Sequence, residues 1–179
     1  GTNAAGAAVT FTVDPATGVA AEGAPAAGNA PSVSLAQLTA NGVTRPIKLD
    51  STLTVTGGRL YLSNSAAAVT ISGGTINSPT AATAQFDYDF VEFTLNDPKN
   101  PNVLNIDTTQ VDQVGFPMQL QVTPTDPDYP AGSGIPVDRA TLVADYRAMV
   151  AGTPSLAPFG DSVFTAAGDP SKVLRLLNP

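Results

Sequence analysis

Residues 84–95, AQFDYDFVEFTL, form the longest aromatic run of strand-forming residues in the chain. Acidic and aromatic side chains alternate at its centre, which predicts a β-strand with one face on a core and one face in water. On this pattern Tyr88 and Phe90 pack inward, whereas Asp87 and Asp89 face solvent. A further acid, Glu92, lies between apolar neighbours, and this raises the question of what a carboxylate does there.

Short runs rich in Val, Thr, Ile, Leu and Phe lie on both sides of this strand, separated by 16 Gly and 16 Pro. This pattern is typical of many short strands joined by turns. Residues 32–39 fit either a strand or a short helix, and residues 96–102 fit a loop. The other expected strands are 8–14, two or three within 45–64 that turn at Gly57 and Gly58, a pair around Gly73 and Gly74, 103–111, 116–124, and two within 159–179.

One helix is expected, over residues 137–150, with Asp138 as its N-cap and Gly152 as its C-terminal signal. Its apolar positions recur at helical spacing and are expected to face the core: Leu142, Val143, Tyr146, Met149 and Val150. Many short strands and one helix predict a mainly β fold. We expect an antiparallel β-sandwich or barrel with one packed α-helix.

Composition excludes several kinds of chemistry. The chain has 179 residues, 13% of them charged, a net charge of -7 and no basic cluster, which argues against nucleic acid as a partner. It contains no Cys and no His, so Ser-His-Asp triads, Cys-His pairs and histidine zinc sites are excluded. Acid–base work would fall to Asp, Glu, Tyr or Lys. We expect no metal, no cofactor and no membrane span, and the first residues show no signal peptide.

Two segments resemble a known family. VEFTLN (91–96), a short loop and then NIDTTQVDQVGFPMQLQVTP (105–124) resemble the signature of thaumatin-like proteins and, more closely, of the glycoside hydrolase family 64 β-1,3-glucanases. GGRLYLSN (57–64) and the order of the later elements fit the same family. The resemblance implies a thaumatin-like β-barrel domain over 41–179, with 1–40 adding a weakly patterned strand and flexible loop. The family's second α/β domain is expected to be absent from this chain.

The resemblance implies an extracellular, endo-β-1,3-glucanase-like glycoside hydrolase that acts on β-1,3-glucan polysaccharide. Glu92 would be the general acid, and Asp112 the base that activates water in an inverting reaction. Asp107 matches a further acid of the cleft, and whether Asp107 or Asp112 partners Glu92 stays open. Because the chain has no Trp to stack on sugar rings, Tyr61 and Tyr88 are the candidate aromatic contacts. Arg59 is a candidate groove residue.

The residues alone leave the geometry and the function class open. A simple hairpin around 96–102 would place Asp112 about 20 Å along the strand from the residue opposite Glu92. It would also turn Asp107 to the other face. The catalytic hypothesis therefore requires a bend, a bulge or a different strand pairing between 103 and 112. Two other functions fit the same fold: a non-catalytic β-glucan-binding module, and a structural or interaction domain.

Overall fold

The computed structural model describes residues 1–65, 68–108, 110–121 and 132–178. The chain forms two compact units. The first comprises Gly1–Leu60, Ala66–Ser78 and Glu92–Ile106, and the second comprises Tyr61–Ser65, Pro79–Val91 and Asp107–Pro179. The structure is mainly β with few helices, as the sequence predicts.

The strand pairs with a defined register are antiparallel. Within the described residues the sheets have two or three strands each and do not close into a barrel. The helices are α1 (Leu35–Leu38), α2 (Arg139–Gly152) and a 3-10 helix over Pro154–Ser162. The strands are β1 (Thr10–Val13), β2 (Ala20–Gly23), β3 (Gly28–Asn29), β4 (Thr39–Ala40), β5 (Val43–Thr44), β6 (Val55–Ser63), β7 (Thr70–Ser72), β8 (Thr75–Asn77), β9 (Tyr88–Asp97), β10 (Asn100–Asp107), β11 (Gln113–Val114), β12 (Gln119–Gln121), β13 (Gly132–Gly134), β14 (Val163–Ala166) and β15 (Asp169–Leu177).

The first unit contains the sheets β1-β2, β3-β7-β8 and β4-β5. Gly73 and Gly74 have φ of +56° and +77° and join β7 to β8, so the predicted hairpin is confirmed. Two successive left-handed residues are what a tight type I′ hairpin turn requires. The segment that fitted a strand or a helix begins as α1, which Ser34 and Gln37 cap reciprocally. The buried apolar residues of this unit are Val9, Ala20, Leu38, Val55 and Ile71.

Strand β9 lies between β10 and β6 in a three-stranded sheet. The turn predicted at Gly57 and Gly58 is wrong, because β6 runs through both glycines. Gly57 has a φ of +59°, and its N–H donates to Thr94 Oγ1 at 3.2 Å. A Cβ on Gly58 would lie 2.7 Å from Phe93 Cζ, so the glycine lets the aromatic ring cover the strand. The predicted loop over 96–102 is also mostly strand, since β9 ends at Asp97 and β10 begins at Asn100.

The second unit contains the sheets β11-β15-β14 and β12-β13. The two strands predicted within 159–179 are β14 and β15, and Gly168, with a φ of +79°, lies in the turn between them. The predicted strand over 116–124 occurs at Gln119–Gln121, and residues 122–124 lie outside the described part of the chain.

Helix α2 begins after Asp138, whose side chain accepts a hydrogen bond from Thr141 N at 2.9 Å, so the predicted N-cap is confirmed. The expectation that its apolar face is core is wrong, because α2 contains no buried residue. Met149 is exposed, and the other apolar positions are half-buried. The helix packs on the 3-10 segment, where the Tyr146 hydroxyl donates to the Phe159 carbonyl at 2.8 Å. It therefore covers the edge of this unit rather than filling its centre.

A buried arginine organises the centre of the second unit. The Arg175 side chain on β15 is 0% exposed, and its guanidinium lies 4.8 Å from the Tyr88 ring centroid and 4.9 Å from that of Phe164. It donates to the carbonyls of Ala81, Ala84 and Phe86, which tie the segment before β9 to β15. The start of β9 is therefore held in place by a cation that lies between two aromatic rings.

Candidate functional site

Glu92 forms an ion pair with Arg59 within the first unit. Arg59 lies on β6 and Glu92 on β9, and the distance from Arg59 Nε to Glu92 Oε2 is 2.8 Å. The side chains are 44% and 32% exposed, so both remain open to solvent. Of the predicted site residues, these two are brought into direct contact.

The apolar neighbours of Glu92 in the sequence do not surround its carboxylate. Successive side chains of a strand point to opposite faces, so Val91 and Phe93 lie on the face away from Glu92. Phe93 packs on Gly58 instead. Glu92 therefore sits in a charged and partly hydrated setting, which differs from the apolar setting that its sequence neighbours indicated.

Asp112 lies in the second unit, immediately before β11. Its side chain is exposed, but its backbone carbonyl accepts a hydrogen bond from Asn178 N at 3.0 Å. The next residue, Gln113, is buried, pairs with Leu177 on β15 and donates to the Tyr88 carbonyl at 2.8 Å. The backbone of Asp112 is thus fixed while its carboxylate is in contact with water.

Asp107 is the exposed last residue of β10 and also belongs to the second unit. Beyond it the chain does not extend the hairpin, because β11 pairs with β15. The catalytic hypothesis required a change of pairing between 103 and 112, and this change occurs. Asp107 and Asp112 share a unit, whereas Glu92 and Arg59 belong to the other.

The burial of Asp89 differs from the pattern predicted for the DYDF segment (87–90). It was expected to face water, but it is 1% exposed, and its carboxylate accepts hydrogen bonds from the N–H groups of Phe90, Gly115 and Phe116 at 2.9, 2.9 and 3.1 Å. Burial raises the pKa of Asp89 above its ordinary 3.8, and the backbone hydrogen bonds act in the opposite direction. Asp87 is also turned inward, where it pairs with Arg139 at 2.9 Å.

The structural role of Asp89 could not be recognised in the sequence because its partners are distant in the chain. Two of its amide donors lie 26 and 27 residues further on. The available signal was the Gly115-Phe116-Pro117 turn, whose first two N–H groups need acceptors that these residues, which have no polar side chains, do not supply.

The two tyrosine candidates differ in accessibility. Tyr88 is 2% exposed, and its hydroxyl donates to the Pro79 carbonyl at 3.2 Å, so no face of its ring is open to a sugar. Its pKa is raised, chiefly by burial. Tyr61 is half-buried and packs against Phe90, with 5.3 Å between ring centroids. Among the predicted aromatic contacts, Tyr61 is the one with exposed surface.

The described residues hold no cluster of three or more acidic, His or Cys side chains suited to a metal ion. None of the helices described here has the length and apolar character needed to cross a membrane.

This mainly β chain has neither His nor Cys, so the side chains that could do acid–base chemistry are Asp, Glu, Tyr and Lys. The sequence model described as β-1,3-glucanase, for glycoside hydrolase family 64, matches residues 2–179. The match spans the chain, so this protein belongs to that β-1,3-glucanase family, and the predicted resemblance is confirmed. No curated protein and no solved structure matches the chain.

Proposed function

We propose that the chain hydrolyses β-1,3-glucan with inversion at the anomeric carbon. In this reaction Asp112 takes a proton from water, whose oxygen forms a bond to C1 of the sugar. The bond between C1 and the glycosidic oxygen breaks, and Glu92 gives its proton to the leaving oxygen. The family match over residues 2–179 is the observation that carries the proposal.

Glu92 suits the role of general acid because its position on a paired strand is rigid and its carboxyl is accessible. A general acid must reach the glycosidic oxygen, and a 32% exposed side chain leaves room for that approach. The ion pair with Arg59 occupies the carboxyl group that would donate the proton. Binding of the glucan therefore displaces Arg59 from Glu92, and the guanidinium then donates hydrogen bonds to sugar hydroxyls.

Asp112 suits the role of general base because its carboxylate is exposed to the water that it would activate. Its backbone is fixed on both sides, through the Asn178 amide and the Gln113 side chain. Asp107 ends a strand and is the alternative base, with an accessory role in the groove. A polymer such as β-1,3-glucan occurs outside the cell, so we propose that the protein acts there. We further propose that its scaffold is a thaumatin-like β fold and that Tyr61 is the aromatic contact to the sugar.

A glucan-binding module without turnover is the second candidate. Two observations favour it: Glu92 is paired with Arg59 at 2.8 Å, and Tyr88 is buried. The first engages the carboxyl group that would act as the acid, and the second removes a sugar-stacking surface. A surface that recognises sugar hydroxyls through Arg59 and Glu92 would retain the polysaccharide without cleaving it.

Hydrolysis of laminarin and curdlan, followed by sugar analysis and by ¹H NMR of the first anomer released, tests both candidates. We expect soluble sugars whose new reducing end starts as the α-anomer. Release of the β-anomer would agree with glucanase activity but would overturn the inverting roles of Glu92 and Asp112. Retention on insoluble glucan with no sugar released would favour the binding module, and neither retention nor release would reject both.

A further inference from the structure

We propose that Asp89 is a positioning residue, a buried carboxylate that fixes the backbone of residues 110–116 and thereby aims the side chain of Asp112. The inference rests on the proposed function, since it concerns the geometry of the proposed base. It assigns no contact with substrate to Asp89. All of the residues involved belong to the second unit.

The two carboxylate oxygens of Asp89 have different tasks. Oδ1 accepts from its own neighbour, Phe90 N, at 2.9 Å. Oδ2 accepts from Gly115 N at 2.9 Å, from Phe116 N at 3.1 Å and from Gln110 Nε2 at 3.5 Å. One oxygen thus orients the carboxylate on β9, while the other gathers donors from both ends of the segment that contains Asp112.

Further contacts hold residues 110–116 together and attach them to β9. Gln110 Nε2 donates to the Phe116 carbonyl at 2.7 Å, which joins its two ends directly. Gln113 Nε2 donates to the Tyr88 carbonyl at 2.8 Å. A Cβ on Gly115 would lie 2.0 Å from the same carbonyl, so the backbone approaches β9 more closely than any other residue type permits. Asp112 is the exposed residue within this anchored segment.

A buried carboxylate is an expensive way to hold a turn. The hydrogen bonds described for the Asp89 carboxylate come from backbone amides and the Gln110 side-chain amide rather than from a cation. Desolvating a charge that only neutral donors satisfy costs stability. The raised pKa of Asp89 reflects this cost. Asp89 lies three residues before Glu92 on β9, and it accepts hydrogen bonds from the segment that contains Asp112. The position that it imposes on this segment explains why a carboxylate is buried here.

The consequence for catalysis is geometric. A catalytic group displaced by about 1 Å can lose on the order of 100-fold in rate, even when the change that moves it is remote from the substrate. Asn at position 89 would keep one carbonyl oxygen and set an NH₂ group against either the Phe90 donor or the Gly115 and Phe116 donors. The substitution therefore loosens the segment without changing volume.

Asp89→Asn is compared with Asp97→Asn, a control on the same strand. The described hydrogen bond of the Asp97 side chain comes from Lys99 N at 2.7 Å, outside residues 110–116. We expect Asp89→Asn to lower kcat on laminarin by about 10- to 100-fold with KM within about twofold. Amide exchange at Gly115 and Phe116 should accelerate at least about tenfold. Asp97→Asn should change neither quantity in this way.

Equal kcat losses in the two variants, or unchanged exchange at Gly115 and Phe116 in Asp89→Asn, would overturn the positioning role. If the wild-type protein releases no sugar, the proposed function fails, whereas the exchange measurement still decides whether Asp89 holds the segment. Gln110→Ala removes the hydrogen bonds from Gln110 Nε2 to Asp89 and to the Phe116 carbonyl, at a half-buried position. This variant replaces Asp89→Asn as the test if Asp89→Asn does not fold. It should also lower kcat with KM preserved, and an unchanged kcat there would equally contradict the inference.

Discussion

Two acids three residues apart on β9 have opposite environments. Asp89 is buried, and its carboxylate is surrounded by N–H donors from its own strand and from residues 110–116. Glu92 is a third exposed and faces a guanidinium on the neighbouring strand. The same functional group is therefore committed to structure at one position and accessible to a ligand at the other. Burial and hydrogen-bond partners, rather than the type of functional group, therefore distinguish these two acids.

The largest expected effect concerns the exposed acid of the anchored segment. Asp112→Asn should lower kcat on laminarin by on the order of 1,000-fold, because a missing general base typically costs 100- to 10,000-fold. Its stability should change little, since the side chain is exposed. Reducing-sugar assays and thermal unfolding measure the two quantities.

Asp107→Asn is the matched control for that experiment, because Asp107 is another exposed acid of the second unit. We expect a loss below about tenfold, in keeping with an accessory role. The reverse order, with Asp107→Asn the more damaging variant, would make Asp107 the base and remove Asp112 from that role.

The next effect tests the close approach beside Asp89. Gly115→Ala places a methyl group 2.0 Å from the Tyr88 carbonyl, so the backbone must shift. Overpacking of this kind costs about 1–3 kcal/mol, which for a chain of this size lowers Tm by about 3–10 °C. Gly152→Ala is the control, since nothing lies within 4 Å of a Cβ there. Similar Tm values for the two variants would contradict the tight contact.

A smaller effect is expected in the pH dependence of stability. Burial raises the pKa of Asp89 in the folded state above 3.8, so the folded protein holds this proton more tightly than the unfolded chain. The stabilisation is fully present below pH 3.8 and is lost as the pH rises through the folded-state pKa. Asn does not titrate. The free energy of unfolding of the wild type, measured relative to Asp89→Asn from about pH 3 to pH 7, should therefore fall. A rise would contradict the burial of Asp89 in solution.

The smallest effect is expected at the exposed ion pair. Arg59→Gln should change the free energy of unfolding by less than about 1 kcal/mol, because exposed ion pairs contribute little. If the guanidinium also binds sugar hydroxyls, KM for laminarin should rise several-fold while kcat changes less. Urea unfolding and steady-state kinetics measure both. A loss of stability above about 2 kcal/mol would show that the pair is structural, like the acid at position 89.

Local signals predicted much of the fold. The hairpin at Gly73 and Gly74 followed from turn chemistry, and Asp138 from N-cap preference, since both depend on adjacent residues. The turn predicted at Gly57 and Gly58 failed because a distant ring, Phe93, occupies the space above Gly58. Helix α2 kept its predicted position, but its apolar face covers a 3-10 segment rather than a core, which periodicity cannot reveal.

The candidate site was predictable only where sequence spacing carried a family signature. That signature singled out Glu92, Asp107 and Asp112 as candidates and led to the confirmed family. It could not predict that Arg59 contacts Glu92, since the two residues meet through the pairing of strands 33 positions apart. The alternating pattern placed Asp89 in water for the same reason, because its donors arrive from a segment that only the folded chain brings there.

The most direct test of the account compares the chain's two glutamates. Glu92→Gln removes the proposed acid, and Glu22→Gln removes an exposed glutamate of the same unit. We predict that Glu92→Gln lowers kcat on laminarin by on the order of 1,000-fold, with Tm within about 2 °C of the wild type, while Glu22→Gln matches the wild type in both. A Glu92→Gln variant with the kcat of the wild type would contradict the proposed hydrolysis and remove Glu92 from the mechanism.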